Sequence, residues 1–107
     1  MAAFLVQTSD SAMLDLDEIV AYCCETLKAP RAAKGLLDDF DALVDELEQT
    51  PEIYPFVRDE KLAALGYKWA PLGRSHAVFY SFARAESTVS IERVLYHPRQ
   101  WQILLES

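Results

Sequence analysis

Apolar side chains recur along this chain with two different periods, and the change between them divides it into a helical half and a strand half. From residue 11 to 28, Leu16, Ile19, Val20, Cys23 and Leu27 fall at i, i+3, i+4, i+7 and i+11, one face of an α-helix. Asp15, Asp17, Glu18 and Glu25 fall largely off that stripe and are expected in water. Residues 9–11 supply N-cap side chains that accept hydrogen bonds from the unpaired amides of a starting helix. A second helix is predicted over 30–49, opened by Pro30 in its first turn and stopped at Thr50 and Pro51. Its buried stripe is Leu36, Phe40, Leu43, Val44 and Leu47, with Leu37 at the flank. So short a connection between the two helices predicts an antiparallel hairpin.

Strand texture lies on either side of the hairpin. Residues 3–8 (AFLVQT) read as a first strand. In 51–66 two prolines argue against a central strand, and 61–65 fits one helical turn ended by Gly66. Residues 67–72 then read as a strand whose Pro71 suggests an edge or a bulge. A turn at 73–75 leads into 76–83 (HAVFYSFA), rich in β formers. Residues 88–96 (TVSIERVLY) alternate, with Val89, Ile91, Arg93 and Leu95 on one face and Ser90, Glu92, Val94 and Tyr96 on the other. The short apolar tail 101–105 is expected to pack back on the sheet. The order β-α-α-β-β-β predicts an α+β fold, an antiparallel sheet covered on one face by the two-helix hairpin.

Composition changes this picture in three ways. A chain of 107 residues is one domain, 1–107, with a narrow margin of stability. No apolar run approaches the roughly 18 residues of a membrane span, and the N-terminus lacks a secretory pattern, so the expectation is a cytoplasmic protein. Cys23 and Cys24 are adjacent, without the spacing of a metal site, and read as thiols in or beside a helix core. The net charge of −7 is unevenly placed. Residues 1–51 hold three basic and eleven acidic residues, a balance of −8, and residues 52–107 hold seven basic and six acidic, a balance of +1. The whole molecule repels nucleic acid at long range, and a local cationic site is left possible on the second half alone.

Several short words in fixed order carry a resemblance: DLDEI at 15–19, RAAKGLLDDF at 31–40, PEIYPFVRDE at 51–60, LGYKWAPLG at 65–73, VFYSF at 78–82 and IERVLYHPRQW at 91–101. Each is weak alone. In this order and spacing, over residues 4–105, the chain resembles the RelE/ParE toxin superfamily, the toxins of type II toxin–antitoxin systems of the plasmid-stabilisation type. It departs at Lys68, where arginine is usual, at His97, where glycine is usual, at Pro98, and at Gln100, which replaces an acid. The turn at 73–76 is about one residue longer than is typical.

The resemblance implies a toxin held inactive by a cognate antitoxin in a heteromeric complex, with no cofactor and no metal. The antitoxin is expected to engage the hairpin and the exposed sheet. The first activity implied is that of a ribosome-dependent messenger RNA endonuclease, an mRNA interferase that arrests growth. In that reaction the 2′-hydroxyl attacks the neighbouring phosphate, which needs cations on the phosphate and groups that move protons. By matching position, Lys68, Arg93 and Arg99 form the candidate phosphate clamp, to which Arg74 in the adjacent turn adds a contact. Arg93 and Arg99 are grouped with Tyr96 and His97 as the candidate catalytic set, His97 on its imidazole chemistry and not on a matching position. The alternatives are a ParE-like inhibitor of DNA gyrase without nuclease activity, and an inactive module that only binds its antitoxin.

Each candidate also has a plainer reading. Arg93 can pair with an acidic side chain of the helices. Tyr96 can pack on Trp101, His97 can be coincidence, and His76 can be a strand-end side chain. Tyr67, Trp69, Phe79 and Tyr80 fit a core or an antitoxin-binding surface better than an RNA-stacking platform.

Overall fold

In a computed structural model that describes residues 3–96, the chain runs β1 (Leu5–Thr8), α1 (Asp10–Ala21), a π-helical turn (Tyr22–Thr26), α2 (Pro30–Gln49), α3 (Glu60–Ala64), β2 (Tyr67–Leu72), β3 (His76–Ala83) and β4 (Thr88–Tyr96). The α+β class, the helical hairpin and the last three strands agree with the sequence pattern. The four strands lie in the order β1-β4-β3-β2. Antiparallel pairing holds for β2 with β3 and β3 with β4, whereas β1 lies parallel to β4, with Leu5 opposite Thr88 and Thr8 opposite Ile91. A parallel neighbour needs a long crossover connection, which the hairpin and the returning meander supply here.

One face of the sheet packs on the helices. Leu16 of α1 and Leu36, Phe40, Leu43 and Leu47 of α2 meet Ala70, Leu72, Val78, Tyr80, Val89, Ile91 and Val94 of the strands. The 20-residue α2 presents its apolar stripe as the periodicity predicts, with Leu37 exposed at the flank. Tyr80, wholly buried, donates its hydroxyl to the Pro51 carbonyl at 2.6 Å, so its polar end has a partner inside the core.

Helix α1 departs from expectation at its end. The stripe predicted to 28 is broken by the π turn, which the Leu27 amide closes on the Tyr22 carbonyl at 3.0 Å. The extra residue rotates the remainder of the helix by about a quarter turn. Cys23 stays buried and Leu27 is exposed. Lys28 then takes φ +53°, the left-handed position that ends a helix and favours glycine.

The β4 register differs too. Phe79 faces Arg93 and Tyr80 faces Ile91, which leaves Glu92 as an extra residue in a bulge. Val94, not Arg93, therefore continues the line of Val89 and Ile91 into the core, and the expected face with Arg93 on it is corrected from that point on. Ser9 joins this bulge to α1. Its hydroxyl accepts from the Ala12 amide at 3.0 Å as the helix N-cap and donates to the Glu92 carbonyl at 2.9 Å.

Candidate functional site

Beyond Thr8 the strand β1 is replaced along β4 by the start of α1. The Ser9 amide donates to the Ile91 carbonyl at 2.9 Å, and one turn and a half later Asp15 reaches the same edge. Its Oδ2 accepts from the Val94 amide at 2.9 Å and from Arg93 Nε at 2.7 Å, and its Oδ1 accepts from Arg93 Nη2 at 3.0 Å. The paired fork matches guanidinium to carboxylate geometry. The Arg93 hydrogen bond holds the Asp15 carboxyl below its ordinary value of 3.8, against an opposing effect of burial. Asp15 is only 14% exposed and Arg93 is 50% exposed, so this aspartate is not the solvated side chain the stripe suggests. Its place four residues before Ile19, at the stripe's margin, is the signal available in the sequence.

Lys68 lies elsewhere. It shares the helix-facing side of β2 with Ala70 and Leu72 and stands opposite Tyr80. Only 6% exposed, it donates to the Tyr54 carbonyl at 2.7 Å and the Glu52 carbonyl at 3.5 Å, and its ammonium sits 3.8 Å from the centre of the Phe56 ring. Burial pushes its pKa down, and the nearby Glu52 carboxylate opposes that shift. The segment it holds is also bonded to the outer edge of β2, through the Trp69 amide on Pro55 and the Val57 amide on Tyr67. Lys68 thus fastens a cover over an edge strand.

A concavity of about 1080 Å³ opens between the hairpin and the far ends of the strands. Ile19, Tyr22, Cys23, Leu27 and Leu36 line it from the helices, and Leu72, Val94, Leu95 and Tyr96 from the sheet. Asp15, Glu18 and Asp39 stand on the helical side, Arg74 and Ser75 on the turn between β2 and β3, and His76 at the start of β3. His76 and Tyr96 face each other across the β3–β4 ladder, rings 5.6 Å apart and edge to face. Burial pushes the His76 pKa below its ordinary value of 6.5. From the sequence His76 reads as no more than a strand end, and nothing in its spacing marks it further.

Of the sequence-predicted site residues, the structure brings Arg74 and Tyr96 to this groove, and Arg93 reaches its wall by way of Asp15. Lys68 stands four residues from Leu72 along β2, a separation of roughly 13 Å. His97 and Arg99, and the apolar tail with Trp101, lie outside the described residues. Among the described residues no group of three or more His, Cys, Asp or Glu side chains could hold a metal, and no helix is long and apolar enough to cross a membrane.

The fold has known counterparts. A protein from the chromosomal ParDE toxin–antitoxin system of P. aeruginosa superposes with a TM-score of 0.69 at 19% identity, over 89% of this chain and 97% of that one. A chain of the RelBE2 toxin–antitoxin complex of Mycobacterium tuberculosis gives a TM-score of 0.59 at 20% identity, over 91% of this chain and 94% of the other. No curated protein sequence is a significant match. The family model described as the ParE toxin of the type II toxin–antitoxin system parDE matches residues 6–101, most of the chain. The chain belongs to the ParE toxin family, and it is a toxin of the type II toxin–antitoxin class within the ParE/RelE superfamily.

Proposed function

We propose that this toxin acts by binding a protein target, DNA gyrase, and that a cognate antitoxin restrains it. One observation carries the choice between the two activities implied by the resemblance. Two of the cations nominated as a phosphate clamp are engaged and apart: Lys68 is buried on backbone carbonyls, and Arg93 is forked onto Asp15. A phosphoryl-transfer site needs preorganised positive charge aimed at one phosphate. The helices on the groove's other wall carry most of the chain's acidic excess, which repels an RNA backbone and suits contact with protein. The two superposed proteins come from toxin–antitoxin systems, which supports an antitoxin partner here as well. Gyrase and the antitoxin would both be met in the cytoplasm.

The ribosome-dependent endonuclease keeps one observation in its favour, Arg74 and Tyr96 in the same groove. Arg99 and His97 belong to that reading too. A paired assay separates the two. Antitoxin-free protein is titrated into gyrase with relaxed plasmid, and in parallel into ribosomes stalled on a defined messenger whose 5′ ends are mapped by primer extension. The expected result is loss of supercoiling with an intact messenger. A cut at the ribosomal A site that disappears in Arg99→Ala would overturn the gyrase reading, and no effect in either assay would favour a module that only binds its antitoxin.

A further inference from the structure

Glycine inside a helix lowers its stability relative to alanine and is usually kept for close packing. Gly35, in the second turn of the 20-residue α2, has no such cause: a Cβ placed on it would meet nothing within 4 Å. It lines the groove between the hairpin and the strand ends, beside Ala32 and Leu36. A second local departure from regular structure borders the same space. The π turn puts Tyr22 and Leu27 on the groove, where both are more than half exposed, and Tyr96 faces it from β4 at 69% exposure. Local rules broken without any gain inside the fold tend to mark functional sites.

We propose that Gly35 is a socket: it leaves room for one apolar side chain of a basic amphipathic segment of the cognate antitoxin, which lies along the groove. The apolar requirement comes from Ile19, Leu27, Leu36, Leu72 and Val94, which line the same groove. The basic requirement comes from charge. Residues 1–51, which form the helical wall, carry a balance of −8, and Glu18 and Asp39 stand on the groove itself, against Arg74 on the opposite wall. Asp15 is already matched by Arg93. An apolar anchor in a pocket with opposite charges at its rim is how helices dock in grooves. This inference rests on the reading of the chain as a toxin with an antitoxin partner, and adds which residue sets the fit and what chemistry fills it.

The probe is the polypeptide encoded by the open reading frame adjoining this chain's gene, titrated against wild type, Gly35→Ala, Gly35→Leu and the double variant Glu18→Lys/Asp39→Lys. Because the space beside Gly35 is open, both glycine variants fold, and Gly35→Ala melts at a higher temperature than wild type. Gly35→Leu is expected to bind at least tenfold more weakly, Gly35→Ala less so. Wild-type affinity falls with added salt, and the double charge variant binds more weakly with a shallower salt dependence. Unchanged affinity in a folded Gly35→Leu overturns the socket while leaving the toxin reading in place. Salt-independent binding overturns the basic character of the occupant. Failure of wild type to bind the neighbouring polypeptide overturns the partner reading and the socket together. Self-association of wild type that Gly35→Leu abolishes would assign the groove to a second copy of this chain, and release of Gly35-dependent probe binding on deleting residues 97–107 would assign it to the chain's own tail; either result contradicts the proposal.

Discussion

Asp15 joins three jobs in one carboxylate. It pairs with Arg93, caps the Val94 amide where β4 has lost its strand neighbour, and stands on the groove wall. Removing it leaves a part-buried amide without its acceptor, a loss of about 1–3 kcal/mol. Asp15→Ala is therefore expected to lower the urea midpoint by that much, and Asp15→Asn, which keeps a side-chain carbonyl, by less. Because the folded carboxyl titrates below 3.8, its contribution is present in full above that value and is lost as pH falls through the folded pKa. Wild type should lose stability below about pH 3.8 more steeply than Asp15→Asn, read by urea unfolding at a series of acid pH values. A parallel decline in the two proteins would contradict the assignment. Lys68 is the second residue-scale test. Lys68→Ala leaves the Tyr54 carbonyl without its donor, and is expected to cost about 1–3 kcal/mol and to speed amide exchange at Val57 and Trp69. A nuclease clamp predicts lost activity with stability intact.

The elements themselves are largely legible in the sequence, since each is long enough for its period to repeat. Helix α2 and strands β2, β3 and β4 fall where the pattern puts them. What pattern cannot show is the insertion of single residues. The π turn in α1 and the Glu92 bulge in β4 each shift the phase by one position, and they decide that Leu27 is exposed and that Arg93 leaves the core face. The direction of β1 is equally hidden, because a four-residue strand looks the same in a parallel or an antiparallel pair. Arg74 and Tyr96 can be found from the sequence, but Asp15, Gly35 and His76 gain meaning only from the groove that the hairpin and the strand ends enclose together. At this scale the α1 terminus gives a clean prediction. Lys28 holds φ +53°, so Lys28→Gly removes left-handed strain and should raise stability by about 1 kcal/mol in urea unfolding. The Ser9 cap gives the opposite: Ser9→Ala unties α1 from the bulge carbonyl and should lower stability by about 1 kcal/mol or somewhat more.

At the scale of the whole molecule, charge and shape favour the same function. The acidic half of the sequence is the helical hairpin, and the hairpin is one wall of the groove. A molecule of net charge −7 with two of its candidate cations, Lys68 and Arg93, tied to its own acceptors is poorly suited to an RNA backbone and well suited to a protein surface. The direct test is made in cells carrying a reporter plasmid, with the toxin induced in the absence of its antitoxin. The plasmid's linking-number distribution and the rate of protein synthesis are tracked from the moment of induction. A gyrase-binding toxin predicts that the plasmid relaxes first and that translation declines later. Translation that stops while supercoiling is unchanged would contradict the account and return the endonuclease to first place.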